Sequence, residues 1–163
     1  MRDGIPQTAV LPLNTWMRLC ALAAMAGIAF VLTIFSLPFF EWRMHFFQVG
    51  IFLAAFVFGP WAGAAVGAVS SSYVALFVIH NPWIIGGNLL LGFFAGYFFP
   101  KQGATKSMMW AYTIQIPYLV VTDFFFGATP FSILTGVLIT LFATGLLCAC
   151  VAGKLAPTLS SRL

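Results

Sequence analysis

The chain has 163 residues, of which 62% are hydrophobic and 6% charged, with a mean hydropathy of +1.05. A water-soluble domain is normally about 25% charged, so this composition excludes a soluble enzyme or binding domain and leaves a single integral membrane domain. The net charge of +4 comes from basic residues scattered beside apolar runs, an arrangement that serves membrane topology rather than a polyanionic partner.

Apolar segments near 16–38, 46–58, 61–79, 83–99, 108–128 and 131–153 predict an all-α integral membrane protein, a compact bundle of six transmembrane helices in one domain, 1–163. In the first segment Arg2 and Arg18 precede an Ala-rich stretch, but the apolar run is too long for a signal-peptide core and is read as a helix. Its small residues, including Cys20, Ala21, Ala24, Ala26 and Ala29, exceed what packing in one bundle needs, and Ala23 and Gly27 form a face suited to a partner helix. The second and fourth segments are short for a hydrocarbon core that takes about 20 residues to cross, which predicts that one or both are tilted or continue into ordered loops.

The third segment opens with Phe58-Gly59-Pro60-Trp61-Ala62-Gly63-Ala64-Ala65-Val66-Gly67. Proline is preset for the first turn of a helix, and Gly63 and Gly67 make a small face that lets backbones approach. Gly92 and Gly96 repeat that spacing in the fourth segment. In the fifth, Pro117 predicts a kink that frees a carbonyl near Thr113 as a possible ligand group. Cys148 and Cys150 in the sixth, with Cys20, give neither a disulfide framework nor a metal site.

An even number of helices puts both termini and the 58–61 and 100–107 connections on one side, with Arg2, Arg18, Lys101, Lys106, Lys154 and Arg162. The opposite side has Arg43, so the positive-inside rule predicts cytoplasmic termini in a plasma (inner) membrane. The outer end gathers the polar residues suited to recognition: Glu41, Trp42, Arg43 and His45, then His80, Asn81 and Trp83, then Asp123 and Thr129. Asn88 lies further into the fourth helix, and Gln115, Tyr118 and Thr122 share one face of the fifth. Polar groups at membrane depth are costly unless paired or facing a wet cavity. Glu41, Trp42, Arg43, His45, His80, Asn81, Trp83, Asn88, Tyr118, Thr122 and Asp123 are therefore the expected lining of an outward-facing substrate pocket. The tryptophans also suit an interfacial belt, and Asn88 and Asp123 also suit helix pairing.

No phosphate-cradling loop, nucleophile elbow or His-Glu-x-x-His helix is present. The chain is expected not to be an enzyme and to carry no cofactor, and any uphill transport must draw energy from a partner or an ion gradient.

The Ala-rich first helix, the Gly-Pro-Trp-Ala-Gly-x-x-x-Gly opening of the third and Asn88-Leu89-Leu90-Leu91-Gly92-Phe93-Phe94-Ala95-Gly96 resemble the substrate-binding S components of energy-coupling factor transporters. The resemblance implies capture of a vitamin or related micronutrient from outside. It also implies a transmembrane coupling protein with two ATPases as partner, docked partly through Ala23 and Gly27. Ser70-Ser71-Ser72 stands where relatives often have an acidic residue, and no biotin, thiamin, riboflavin or folate signature is evident. A cobalamin or other tetrapyrrole with His80 as axial ligand, or a small aromatic vitamin stacked on Trp83 or Trp42, are the substrates weighed. A rod-shape scaffold subunit and a small ion-coupled carrier relaying through Asp123 are the alternatives; the scaffold would not need polar residues gathered at one end.

Overall fold

The computed structural model describes residues 15–39, 42–127 and 129–162, with the backbone alone described for residues 36–39, 42–45 and 162. It contains α1 (Thr15–Ile34), a hairpin of β1 (Ser36–Phe39) and β2 (Trp42–His45), α2 (Gln48–Phe58), α3 (Pro60–Tyr73), α4 (Trp83–Leu119) and α5 (Phe131–Arg162). Helix α3 runs on through a π-helical turn, Val74–Val78, and α4 through another, Val120–Phe126. Among the described residues four stretches are long and apolar enough to cross a membrane: Thr15–Ile34, Pro60–Val78, Trp83–Phe126 and Phe131–Ser161.

Three expected boundaries are corrected. The first helix stops at Ile34 rather than near 38, because Pro38 pushes the preceding residue to extended backbone and the chain turns into the hairpin, Pro38 opposite Arg43. The described residues form five α-helices rather than six, because the predicted 100–107 connection is helical on both sides of one residue, Gly103 (φ 75°, ψ 176°). That left-handed backbone is open to glycine without strain. It folds α4 back on itself: Gln115 Nε2 donates to Gly87 O, Tyr118 Oη donates to Trp83 O, and Trp110 meets Phe98. Helix α5 also continues past 153 to Arg162, with Pro157 inside it.

Helix α2 organises the bundle. Its 11 residues rise about 16 Å, half of a hydrocarbon core of about 30 Å. Gln48, Gly50, Ile51, Phe52, Ala54, Ala55 and Phe56 are all buried, and α1, α3, α4 and α5 surround it. A helix that is apolar on every side belongs in the middle. Around it Phe52, Phe56, Leu91, Met108, Tyr112 and Ala152 form a close-packed core. This half of the molecule lies toward the end that has Lys101 and Lys106 beside the Gly103 turn, with Gly153, next to Lys154 in the chain, against Ala104.

The α3–α4 seam is backbone against backbone. A Cβ on Gly63 would strike Gly92 O, one on Gly67 would strike Asn88 O, and one on Gly96 would strike Pro60. The same small residues serve a different role on α1, where Ala23, Ala24 and Gly27 are exposed and a Cβ on Gly27 would meet nothing within 4 Å. Gly92→Val is therefore expected to destabilise the protein by about 1–3 kcal/mol or more through overpacking, while Gly27→Val leaves the melting temperature in detergent within a degree or two of the parent. Thermal unfolding of the two purified variants checks the contrast.

Candidate functional site: a cavity above the short helix

Where α2 ends, the bundle is hollow. Thr33 and Ile34 at the end of α1 and Phe47 before α2 border a cavity of about 690 Å³. Its walls come from the elements that continue: Ser71 to Val78 on α3 and its π-helical turn, Ile84 and Asn88 on the first arm of α4, Gln115 and Leu119 on the second, Asp123, and Val137 to Thr144 on α5. The volume falls in the roughly 300–1,000 Å³ range of small-molecule pockets. The lining is mostly aliphatic with a few polar groups, the usual composition of a site that orients a small ligand.

Those polar groups sit at three levels. At the bottom, Thr144 lines the cavity and donates to Thr140 O at 2.7 Å, with the buried Gln48 Oε1 3.4 Å from its Oγ1. At mid-height, Asn88 Nδ2 donates to Ile84 O at 3.1 Å and Gln115 Nε2 to Gly87 O at 3.0 Å. The remaining oxygens, Asn88 Oδ1 and Gln115 Oε1, are buried without a hydrogen-bond partner. At the top, Asp123 is 8% exposed, and its Oδ1 accepts from Asn81 Nδ2 at 2.7 Å.

The Asn81–Asp123 bond ties together the two connections at this end. Asn81 Oδ1 accepts from the Trp83 backbone N–H, and the backbone N–H of Asn81 reaches back to Ala75 O across the π-helical turn. Asp123 O accepts from Thr129 N, and Gly127 leaves no room for a Cβ beside Asp123 and Asn81. His80 makes this sharp turn with φ 58°, uncommon for a non-glycine residue, and its Nδ1 lies 2.9 Å from Leu76 O. Both π-helical turns flank the cavity, and such turns recur at functional sites because they re-aim side chains out of helical register.

Of the residues expected to line the pocket, Asn88 and Asp123 do so, and Asn81 holds Asp123. Thr122 is buried and bonded to Tyr118 O, while Tyr118 ties the two arms of α4 through Trp83 O; neither borders the cavity. Trp83 is 43% exposed and packs on Phe126, and Trp16, Trp61 and Trp110 are likewise exposed, as an interfacial belt requires. His80 is exposed and outside the lining, so the cavity gives no support to an axial-ligand role. Thr113 and Pro117 are exposed rather than turned to the cavity. Glu41 lies outside the described residues; Trp42, Arg43 and His45 have their backbone in β2, and their side chains are outside the description. Thr33, Ser71 and Thr144, which line the cavity, were not singled out for the site. Among the described residues no group of three or more His, Cys, Asp or Glu side chains is placed to hold a metal.

A multi-helix membrane bundle, packed in one half and hollow in the other, defines a membrane-embedded small-molecule-binding subunit. The family model of the ECF-type riboflavin transporter S component matches residues 14–161, and the chain belongs to that family. A solved structure, the S component of a bacterial ECF transporter, superposes with a TM-score of 0.56 at 23% identity, covering 91% of this chain and 96% of that one, a likeness of fold. A comparison with curated protein sequences gives no match. Family membership favours neither the scaffold nor the carrier.

Asp123→Ala leaves the Asn81 amide without its acceptor, a loss of about 1–3 kcal/mol for a buried donor, and is expected to raise hydrogen exchange at the backbone amides of 79–83. Asp123→Asn keeps an acceptor oxygen and is expected to raise it far less. Exchange measured by mass spectrometry distinguishes them.

Proposed function

We propose that the protein is the substrate-capturing subunit of an energy-coupling factor transporter and that its cargo, riboflavin or a close relative of it, occupies the cavity between α3, both arms of α4 and α5. The observation that carries the reading is a cavity of about 690 Å³ closed on one side by the packed core around α2. A cargo entering from the opposite end stops at Gln48 and Thr144. In this reading the two arms of α4 act as separate membrane-spanning helices, which makes six helices when the short α2 is counted, and the basic end with both termini faces the cytoplasm, in keeping with Arg18, Lys101, Lys106 and Lys154.

Binding uses Asn88, Gln115 and Asp123 directly, with Asn81 as the residue that positions Asp123. The coupling protein with its two ATPases docks on the Ala23 and Gly27 face of α1, where side chains are small and exposed among the described residues. The chain itself carries no nucleotide-hydrolysing motif, so the energy of uptake comes from that partner.

The first test is mass spectrometry and absorbance of small molecules released from the detergent-purified protein, where a stoichiometric flavin is expected and a different stoichiometric cargo would displace the flavin reading. Val137→Trp, which fills the cavity from α5, is expected to lower riboflavin affinity by about 100-fold or more while the protein stays folded. Unchanged affinity would move the site elsewhere. Gly27→Trp is expected to spare binding and abolish cellular uptake; retained uptake would remove α1 as the docking face.

A further inference from the structure

At the end of the bundle away from the cavity, the two arms of α4 carry an aromatic face that the cargo site does not use. On the first arm the rings of Tyr97 and Phe98 lie 5.2 Å apart between centroids. The reversal at Gly103 brings Trp110 of the second arm to 6.3 Å from Phe98. Tyr97 and Trp110 are about half exposed, so the face looks outward from the bundle. Two exposed lysines close it on the side of the turn. Lys101 stands one turn beyond Tyr97, with its Nζ 5.0 Å from the centroid of that ring, a cation–π contact. Lys106 stands one turn before Trp110 on the other arm, so both lysines fall between the Phe98–Trp110 pair and Gly103. Neither has an acid to balance it. Among the described residues the one acidic side chain is Asp123, 17 residues beyond Lys106 and so about 25 Å further along the arm, where it is bonded to Asn81.

We propose that Tyr97, Phe98, Lys101, Lys106 and Trp110 form a binding site for an anionic phospholipid, with the headgroup phosphate at the two lysines and the acyl chains along the rings. The proposal depends on the chain lying in a membrane and not on what fills the cavity. Position supports it first. Trp and Tyr mark the level of the membrane–water boundary, and a lysine one turn beyond them, toward the reversal of the chain, reaches the headgroups with its ammonium while its stem stays in the apolar layer. Chemistry then selects the class. A soluble anion engages the ammonium groups and leaves the exposed rings without a partner, whereas a zwitterionic lipid covers the rings but carries its own cation beside the phosphate. A lipid with net negative charge satisfies both, and basic residues just beyond a membrane helix are the recurring recognition element for such lipids. A protein helix docking here meets bulky rings in place of the small residues that let helices approach. The face is also separate from the Ala23 and Gly27 face, which belongs to α1, a helix packed on α2 and α3.

The experiment uses the full chain reconstituted into phosphatidylcholine vesicles that contain a rising share of phosphatidylglycerol brominated on its acyl chains, with brominated phosphatidylcholine as the reference. Bromine quenches tryptophan emission at contact range, and the difference between the parent and Trp110→Phe isolates the signal of Trp110. Half-quenching is expected at a mole fraction of phosphatidylglycerol about tenfold or more below that of phosphatidylcholine, since each lysine near an anionic headgroup contributes about fivefold. Replacing both lysines, Lys101→Gln with Lys106→Gln, is expected to bring the ratio close to one. Both side chains are exposed, so folding is spared, and an unchanged melting temperature checks it. Arg18→Gln, the same loss of charge on α1, is expected to leave the ratio as in the parent. Equal half-quenching by the two lipids, a preference that survives the loss of both lysines, or one that falls as far with Arg18→Gln overturns the proposal. A double variant that keeps the lipid preference but no longer assembles with a coupling protein overturns it too, and assigns the face to a protein partner.

Discussion

A buried helix too short to cross the bilayer is the constraint on which the rest of the structure depends. Helix α2 supplies apolar surface on every side for about 16 Å and then stops. Around it, aromatic, aliphatic and alanine side chains pack to a solid core. Beyond Gln48 the surrounding helices continue without a central element, and the space they enclose becomes the cavity. Solidity at one end and hollowness at the other are thus two consequences of the same length mismatch.

Holding the walls apart without a central helix requires rigid seams elsewhere. The α3–α4 seam provides one, since Gly63, Gly67, Gly92 and Gly96 bring backbones together with no side chain between them. In a membrane, where burial of apolar surface gives no net drive between helices, close van der Waals contact of this kind is the main source of association. The fold-back of α4 at Gly103 provides another, with Gln115 and Tyr118 on one arm bonded to Gly87 and Trp83 on the other. At the open end the Asn81–Asp123 bond joins the two connections that frame the cavity. Function follows from this division: the frame is fixed by glycine and backbone contacts, and the polar atoms that remain unsatisfied are those at the cavity wall.

The two faces of small residues show why composition alone does not assign a role. On α3 and α4 the glycines are used up inside the molecule, whereas on α1 the Ala23 and Gly27 face is left outward. Equal spacing in the sequence therefore corresponds to internal packing in one place and to an available surface in the other. The difference depends on which neighbour each helix meets, which is a property of the bundle.

The sequence by itself determined the membrane class, the approximate position of nearly every apolar segment, the glycine seam and the end at which polar residues gather, because hydropathy and small-residue spacing are local properties with direct physical meaning in lipid. It also marked Asn88 and Asp123, since an amide or a carboxyl within an apolar run stands out against its neighbours. Tertiary structure decided the rest. The 100–107 connection reads as a loop from its Lys, Gly and Gln residues, yet a single left-handed glycine suffices to reverse the chain. Thr33, Ser71 and Thr144 are unremarkable in a helix, because each satisfies its proton locally; they become part of a site only through the helices that stand opposite them. His80 and Trp83 looked equally suited to recognition, but one forms a strained turn and the other packs on Phe126, outside the cavity. A residue type shows what a side chain is able to do, and only the packing of distant segments determines whether it faces a ligand.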